Sequence, residues 1–282
     1  MKHAIEITDL AKDYGSFQLK QVNITLPAGY IMGFIGENGA GKTTTIKAML
    51  GLIHCDQGEI RLLGKRLEPG DKKIREQIGV VMDESGFPDD ATLENIDSIM
   101  KGCYQTWDSI RFRQYAGRFH LPAGQKVKTF SKGMRMKLSI AAALSHDSRL
   151  LILDEVTGGL DPVVREEILD LFLEFMQDEN HSIFFSSHIL SDLEKVCDYV
   201  TLIHQGRILF SENKDTLLEK YGVVKCAASD FASIDDDAVI SSRKNEFGME
   251  ALVKKDQVPS AFVVDEASIE DIMVYFVKEE EK

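Results

Sequence analysis

The amino-acid sequence predicts an α/β fold centred on a mainly parallel sheet with helices on both faces. Two observations carry this reading. Short apolar runs at Tyr30 to Ile35, Leu150 to Leu153 and Ile183 to Ser186 are as continuous as strands buried on both sides require. After each run the spacing changes to that of a helix, and strands alternating with helices over this length build parallel sheets.

The chain opens with two β-like runs, Ala4 to Ile7 and Val22 to Leu26, separated by turns, which predicts a small antiparallel sheet. Tyr30 to Ile35 ends in a glycine-rich turn and leads into the helical TTTIKAMLGL. Residues from about 88 to 140 read as a helical insert, with Trp107, Phe112, Tyr115 and Phe119 at apolar positions. Leu150 to Leu153 is a buried strand ending in Asp154 and Glu155. The helix after it, about Pro162 to Met176, has proline at its favoured first position. A third strand, Ile183 to Ser186, leads to His188, a helical Ser191 to Cys197 and a β-like Tyr199 to Phe210. Beyond about Lys220 the acidic Asp235 to Asp237, short β-like pieces, the helical SIEDIMVYFV and a charged EEEK tail predict a small α+β appendage. The expected division is therefore 1–220 for the main domain and 221–282 for an accessory one.

Composition narrows the function classes. With 282 residues, 44% hydrophobic and 28% charged, the chain can build a full core. A net charge of −13 argues against nucleic acid as a partner, because that binding neutralises phosphates with Lys and Arg; the stretch Lys126 to Lys137 is the local exception. No run approaches the ~18 to 20 apolar residues of a membrane helix, and MKHAIEITDLAKDYG lacks the apolar core of a signal peptide, so a cytoplasmic location is expected unless a partner tethers the chain. Cys55, Cys103, Cys197 and Cys226 are far apart and form no metal or disulfide pattern; reduced, mostly buried thiols are expected.

Gly36 to Thr43 reads GENGAGKT, a full match to GxxxxGK[ST], between a predicted strand and a predicted helix. This is the phosphate-binding loop of a P-loop NTPase core. Glycines at 36, 39 and 41 let the backbone turn tightly and aim N–H groups at phosphate oxygens, helped by the positive end of the helix dipole. Lys42 is placed to reach the β- and γ-phosphates and the Thr43 hydroxyl to bind Mg²⁺. In LLILDE, alternation along a strand sends the two carboxylates to opposite sides, so they have different tasks. Asp154 is assigned to the Mg²⁺ hydration shell and Glu155 to general-base polarisation of the attacking water.

With GENGAGKTT, FSKGM, LLILDE, GGLD and SSHIL in this order, the chain resembles the nucleotide-binding subunits of ABC transporters, and the motifs span residues 14–210. The resemblance extends the nucleotide contacts to Gly36, Asn38, Gly39, Ala40, Gly41, Lys42, Thr43 and Thr44. It makes Tyr14 the aromatic residue that stacks on adenine and His188 the switch histidine that contacts the γ-phosphate. Ser131 and Gly133, in SKGM 23 residues before Asp154, stand where the family's signature LSGGQ caps the γ-phosphate held by a second subunit. Asp161 falls in the loop that communicates across that dimer, and is also placed to cap the helix begun by Pro162. Three departures accompany the match. Asp83 stands where a glutamine ordinarily meets Mg²⁺, which makes it a shorter, charged metal ligand. Lys132 and Met134 alter the signature, and Val156 replaces the proline after the catalytic glutamate.

What the resemblance implies is an ATP- and Mg²⁺-dependent ATPase that pairs head to tail with a second copy or a paralogous subunit and drives an integral-membrane permease from the cytoplasmic face. SKGM, SSHIL and SIEDIMVYF are most similar to bacterial ABC-2-type exporters of peptides, antibiotics or lipids. Three rival readings stay open: a soluble ABC ATPase without a membrane partner, a regulatory cassette that barely hydrolyses, and a small-molecule kinase with a phosphate loop.

Overall fold

The computed structural model describes residues 2–66, 68, 71–83, 86–246 and 248–280. Strands β1 (His3–Asp13) and β2 (Gln18–Pro27) pair antiparallel; in β2, Leu19, Val22, Ile24 and Leu26 are buried while Lys20, Gln21, Asn23 and Thr25 face water. That alternation fits a sheet with one covered face. β3 (Ile31–Ile35) is buried throughout and leads to α1 (Lys42–Met49).

The chain then returns to the first sheet with β4 (Gln57–Leu62) and β5 (Lys65–Arg66), and reaches α2 (Lys72–Arg75) and β6 (Ile78–Val81). The helical insert follows as α3 (Leu93–Cys103), α4 (Ser109–Arg118), a 3₁₀ turn (Val127–Thr129) and α5 (Lys132–Ala143). Local capping fixes the start of each α-helix: Thr92 forms a capping box with Asn95, and Asp108 and Ser131 accept backbone N–H groups of the first turns.

β7 (Leu150–Asp154), α6 (Pro162–Phe175), β8 (Ser182–Ser186) and α7 (Leu190–Val196) form the second and third strand-to-helix units. The β-like stretch from Tyr199 is two antiparallel strands, β9 (Tyr199–His204) and β10 (Arg207–Asn213), joined by the positive-φ pair Gln205–Gly206. The C-terminal part runs α8 (Lys214–Lys220), β11 (Tyr221–Cys226), α9 (Ala228–Phe231), β12 (Val239–Asn245), β13 (Gly248–Lys254), β14 (Val264–Glu266) and α10 (Ile269–Glu280). Of the EEEK tail, residues 281–282 lie outside the described residues.

Among the described residues the strands form three sheets, ordered β2-β1-β4-β5, β10-β9-β3-β8-β7-β6 and β12-β13-β11-β14. The central one is parallel except for the edge pair β9–β10. Its pleat sorts the core in two. Ile31, Ile35, Leu151, Leu153, Ile183 and Phe185 face a cluster shared with the helical insert and α6, whereas Met32, Phe34, Leu150, Ile152 and Phe184 face the antiparallel sheet and α1. The larger cluster continues into Tyr221, Val223, Leu252, Ile269, Ile272 and Tyr275, and Phe276 packs edge-on against Phe210 and Tyr221.

The thiols depart from expectation. All four are free, but only Cys197 is buried; Cys55 and Cys226 are half-buried and Cys103 is exposed at the end of α3. Among the described residues no helix is long and apolar enough to cross a membrane.

Candidate functional site

The loop between β3 and α1 borders a cavity of about 440 Å³, lined by Asn38, Gly39, Gly41, Lys42, Thr43 and Thr44, with Phe17, Glu37 and Glu155 completing the wall. Two glycines permit this path. Gly41 has φ +116°, and a side chain there would strike Leu19 and Phe17; a Cβ on Gly36 would lie 2.4 Å from the Ile203 carbonyl oxygen. Ala40 is buried and accepts a 2.9 Å hydrogen bond from the Gly206 N–H, which ties the loop to the β9–β10 turn. Because α1 begins at Lys42, the unpaired N–H groups of its first turn and its positive dipole end belong to this loop.

Lys42 is 6% exposed, donates to the carbonyl oxygens of Gly36 (2.7 Å) and Glu37 (3.3 Å), and lies 3.3 Å from Glu155 Oε1. Thr43 Oγ1 donates to Asp154 Oδ2 at 2.9 Å, and Ser186 Oγ donates to Asp154 Oδ1 at 2.6 Å. The second contact follows from register, since β7 and β8 pair Asp154 with Ser186.

Separation of the two carboxylates has a different origin from the predicted strand alternation. β7 ends at Asp154, and Glu155 turns into the left-handed region at φ +53°. Its N–H donates to the Ser186 carbonyl (3.1 Å) and hydroxyl (3.0 Å). A non-glycine residue held there costs about 1–3 kcal/mol and persists only when its surroundings fix it. Here the turn aims the side chain so that Oε1 meets Lys42 and Oε2 meets His188 Nδ1 at 2.5 Å. Oε1 is buried without a well-formed hydrogen bond, the Lys42 contact being an ion pair only.

The other sequence-selected residues do not line this cavity. Tyr14 is 51% exposed, with the Lys12 ammonium 5.4 Å from its ring centre. Ser131 accepts the Met134 N–H at 3.2 Å at the start of α5, and Asp161 accepts the Val164 N–H at 3.0 Å at the start of α6. Leu160 lies 3.7 Å from where a Cβ would stand on Gly133, so these two helix starts adjoin. Asp83 Oδ1 is 3.0 Å from Lys132 Nζ; Glu84 and Ser85, from the same expected metal-contacting segment, lie outside the described residues.

Two contributors escaped the sequence reading. Phe17 is the aromatic side chain on the cavity wall, and its signal was proximity to the loop-facing strand β2. Ser186 clamps both Asp154 and Glu155; its signal was the hydroxyl at the end of a buried strand. The basic stretch is paired within the chain: Lys126 and Lys128 share Asp90, whose carboxyl their hydrogen bonds hold down to about 2, Arg135 meets Asp89 and Lys137 meets Glu167.

Residues 19–158 match the family described as ABC transporter. The chain is 40% identical over 213 residues to the bacitracin transport ATP-binding protein BcrA of Bacillus licheniformis, covering 74% of this chain and 69% of that protein. To YhcH, an ABC transporter ATP-binding protein of Bacillus subtilis (strain 168), it is 30% identical over 292 residues, 99% of this chain and 92% of that one, so the C-terminal segment is shared there too. Among solved structures, an ATP-binding subunit of an ABC transporter matches with a TM-score of 0.69 at 28% identity, over 76% of this chain and 91% of that chain. A dimeric ATP-binding cassette in a post-hydrolysis state with ADP and Pi has the same fold, with a TM-score of 0.65 at 20% identity over 74% and 98%. A phosphate loop, a helical insert and a strand-end carboxylate pair in this order, together with these relatives, mean that the chain belongs to the ATP-binding proteins of ABC transporters.

Proposed function

We propose that this chain hydrolyses ATP as one of two ATP-binding subunits that power a bacterial exporter of peptides, antibiotics or lipids, docked on its permease at the cytoplasmic face of the membrane. The observation that carries the reading is the linkage of Thr43, Asp154 and Ser186 to Lys42, Glu155 and His188 around one phosphate loop.

The loop N–H groups and Lys42 bind the β- and γ-phosphates, with Asn38, Gly39, Ala40 and Thr44 completing the cradle and Tyr14 and Phe17 available to the adenine. Thr43 and Asp154 bring hard oxygen donors together at 2.9 Å, the donor type Mg²⁺ takes, whereas the Asp83 carboxylate is paired with Lys132. Held by Thr43 and Asp154, Mg²⁺ would supply neutralisation of the negative charge on the phosphate groups. Glu155 accepts the proton of the attacking water, and His188, hydrogen-bonded to Glu155, orients that carboxylate and meets the γ-phosphate. Triphosphate gives the Lys42 ammonium a stronger partner than Glu155, so binding itself frees the base.

One chain holds half of the composite site. Ser131 and Gly133 at the start of α5 cap the γ-phosphate of a second cassette, with Asp161 in the loop between the two sites. Residues 1–220 form the ATPase domain, with the helical subdomain at about 88–140 as the permease contact, and 221–282 form the accessory segment. Purifying the tagged chain from detergent-solubilised native membranes tests the assignment. A co-purifying multi-span protein that changes the ATPase rate is the expected result; an active chain with no membrane partner would make it a soluble ABC ATPase.

A further inference from the structure

Two departures from the family pattern, Asp83 and Lys132, are 49 positions apart in sequence and meet in space, Oδ1 to Nζ at 3.0 Å. Asp83 follows β6, whose register pairs Val81 with Leu153, so it leaves the sheet beside the strand end that carries Asp154. Lys132 is the first residue of α5, directly after Ser131. Its ammonium also lies 3.6 Å from where a Cβ would stand on Gly159, which has φ +70°. A single ion pair thus joins the edge of the central sheet, the start of the last helix of the insert and the loop leading to Asp161.

We propose that the Asp83–Lys132 pair is an intrachain latch: it holds the start of α5 against the sheet edge and neutralises Lys132, and it opens when the γ-phosphate on a second cassette replaces the Asp83 carboxylate as partner of Lys132. Both side chains are 52% exposed, so the pair is accessible and weak enough to exchange. A phosphate oxyanion backed by the N-terminal dipole of α5 is the stronger partner. Asp83 is then a positioning residue acting through Lys132 rather than a ligand of the cation.

The inference rests on the two-cassette reading above. Its test is a mutant cycle in the Glu155→Gln chain, with Asp83→Asn, Lys132→Met and the double variant, reading the ATP concentration at which each dimerises by light scattering. Binding of a fluorescent ATP analogue is followed in the same samples. Asp83→Asn is expected to lower the ATP requirement about threefold, the size an exposed ion pair allows. Lys132→Met raises it, and Asp83→Asn has no further effect once Lys132 is gone; Lys132→Arg preserves the dependence on Asp83. An equal shift from Asp83→Asn with and without Lys132, or a raised ATP requirement as from a lost metal ligand, overturns the latch alone. A parent chain that binds the analogue yet never dimerises overturns the two-cassette reading and the latch with it.

Discussion

Lys42 and His188 each hold one oxygen of Glu155, the carboxylate we propose as the general base. Replacing it with glutamine keeps the shape and removes the charge. Glu155→Gln is expected to retain ATP binding and lose turnover by about 10²–10⁴-fold, the usual contribution of a positioned general base, as read by steady-state ATPase and equilibrium binding. The aromatic wall gives a second residue-scale test. Phe17→Ala is expected to weaken nucleotide affinity by about 1–3 kcal/mol, as loss of one stacking partner does. Measured beside it, Tyr14→Ala distinguishes a base held between both rings, if its loss is similar, from one carried by Phe17 alone. The phosphate loop and Asp154 were legible because their chemistry follows from contiguous residues between a strand and a helix. The path of Glu155 was not, because a left-handed residue fixed by Ser186, 31 positions away, leaves no local signal. Nor was the Asp83–Lys132 pair, which exists only after the insert has docked.

At the scale of elements, the insert is attached to the sheet through a partly titratable joint. His146, just beyond α5, stacks on Tyr104 at 4.1 Å and its Nδ1 contacts the Glu76 carbonyl at 2.9 Å. Burial pushes its pKa below the ordinary value, against the opposing pull of that carbonyl. The folded chain therefore disfavours the protonated ring that the unfolded chain accepts, and this part of the stability is present above about pH 6.5 and lost as the pH falls below it. His146→Phe keeps a stacked ring and is expected to flatten the decline in melting temperature on acidification; an unchanged slope would remove His146 as its source. The strand-to-helix units were readable from their apolar runs, and their starts from Asp161, Pro162 and Ser131. The hairpin of β9 and β10 was read as one stretch, since a tight Gln205–Gly206 turn interrupts the pattern for only two residues.

For the whole molecule, the question is whether the C-terminal segment moves with the cassette. Ile272 is fully buried in the same cluster as Leu193 and Phe210, and the Ile269 N–H donates to Glu194 Oε1 at 3.1 Å. Ile272→Ala is expected to cost about 2–5 kcal/mol and to shift a single calorimetric transition; a second transition moving alone would mark the segment as an independent unit. The composite ATPase is tested most directly by complementation. Lys42→Ala removes the phosphate grip of a chain and Ser131→Arg blocks its cap, and each variant alone is expected to be inactive. Mixed, they rebuild one complete site from the intact loop of one chain and the intact cap of the other, and ATP hydrolysis should return. Full activity of Ser131→Arg by itself would mean that each chain hydrolyses ATP alone, and no recovery on mixing would mean that loop and cap do not combine across two chains; either result would contradict the account.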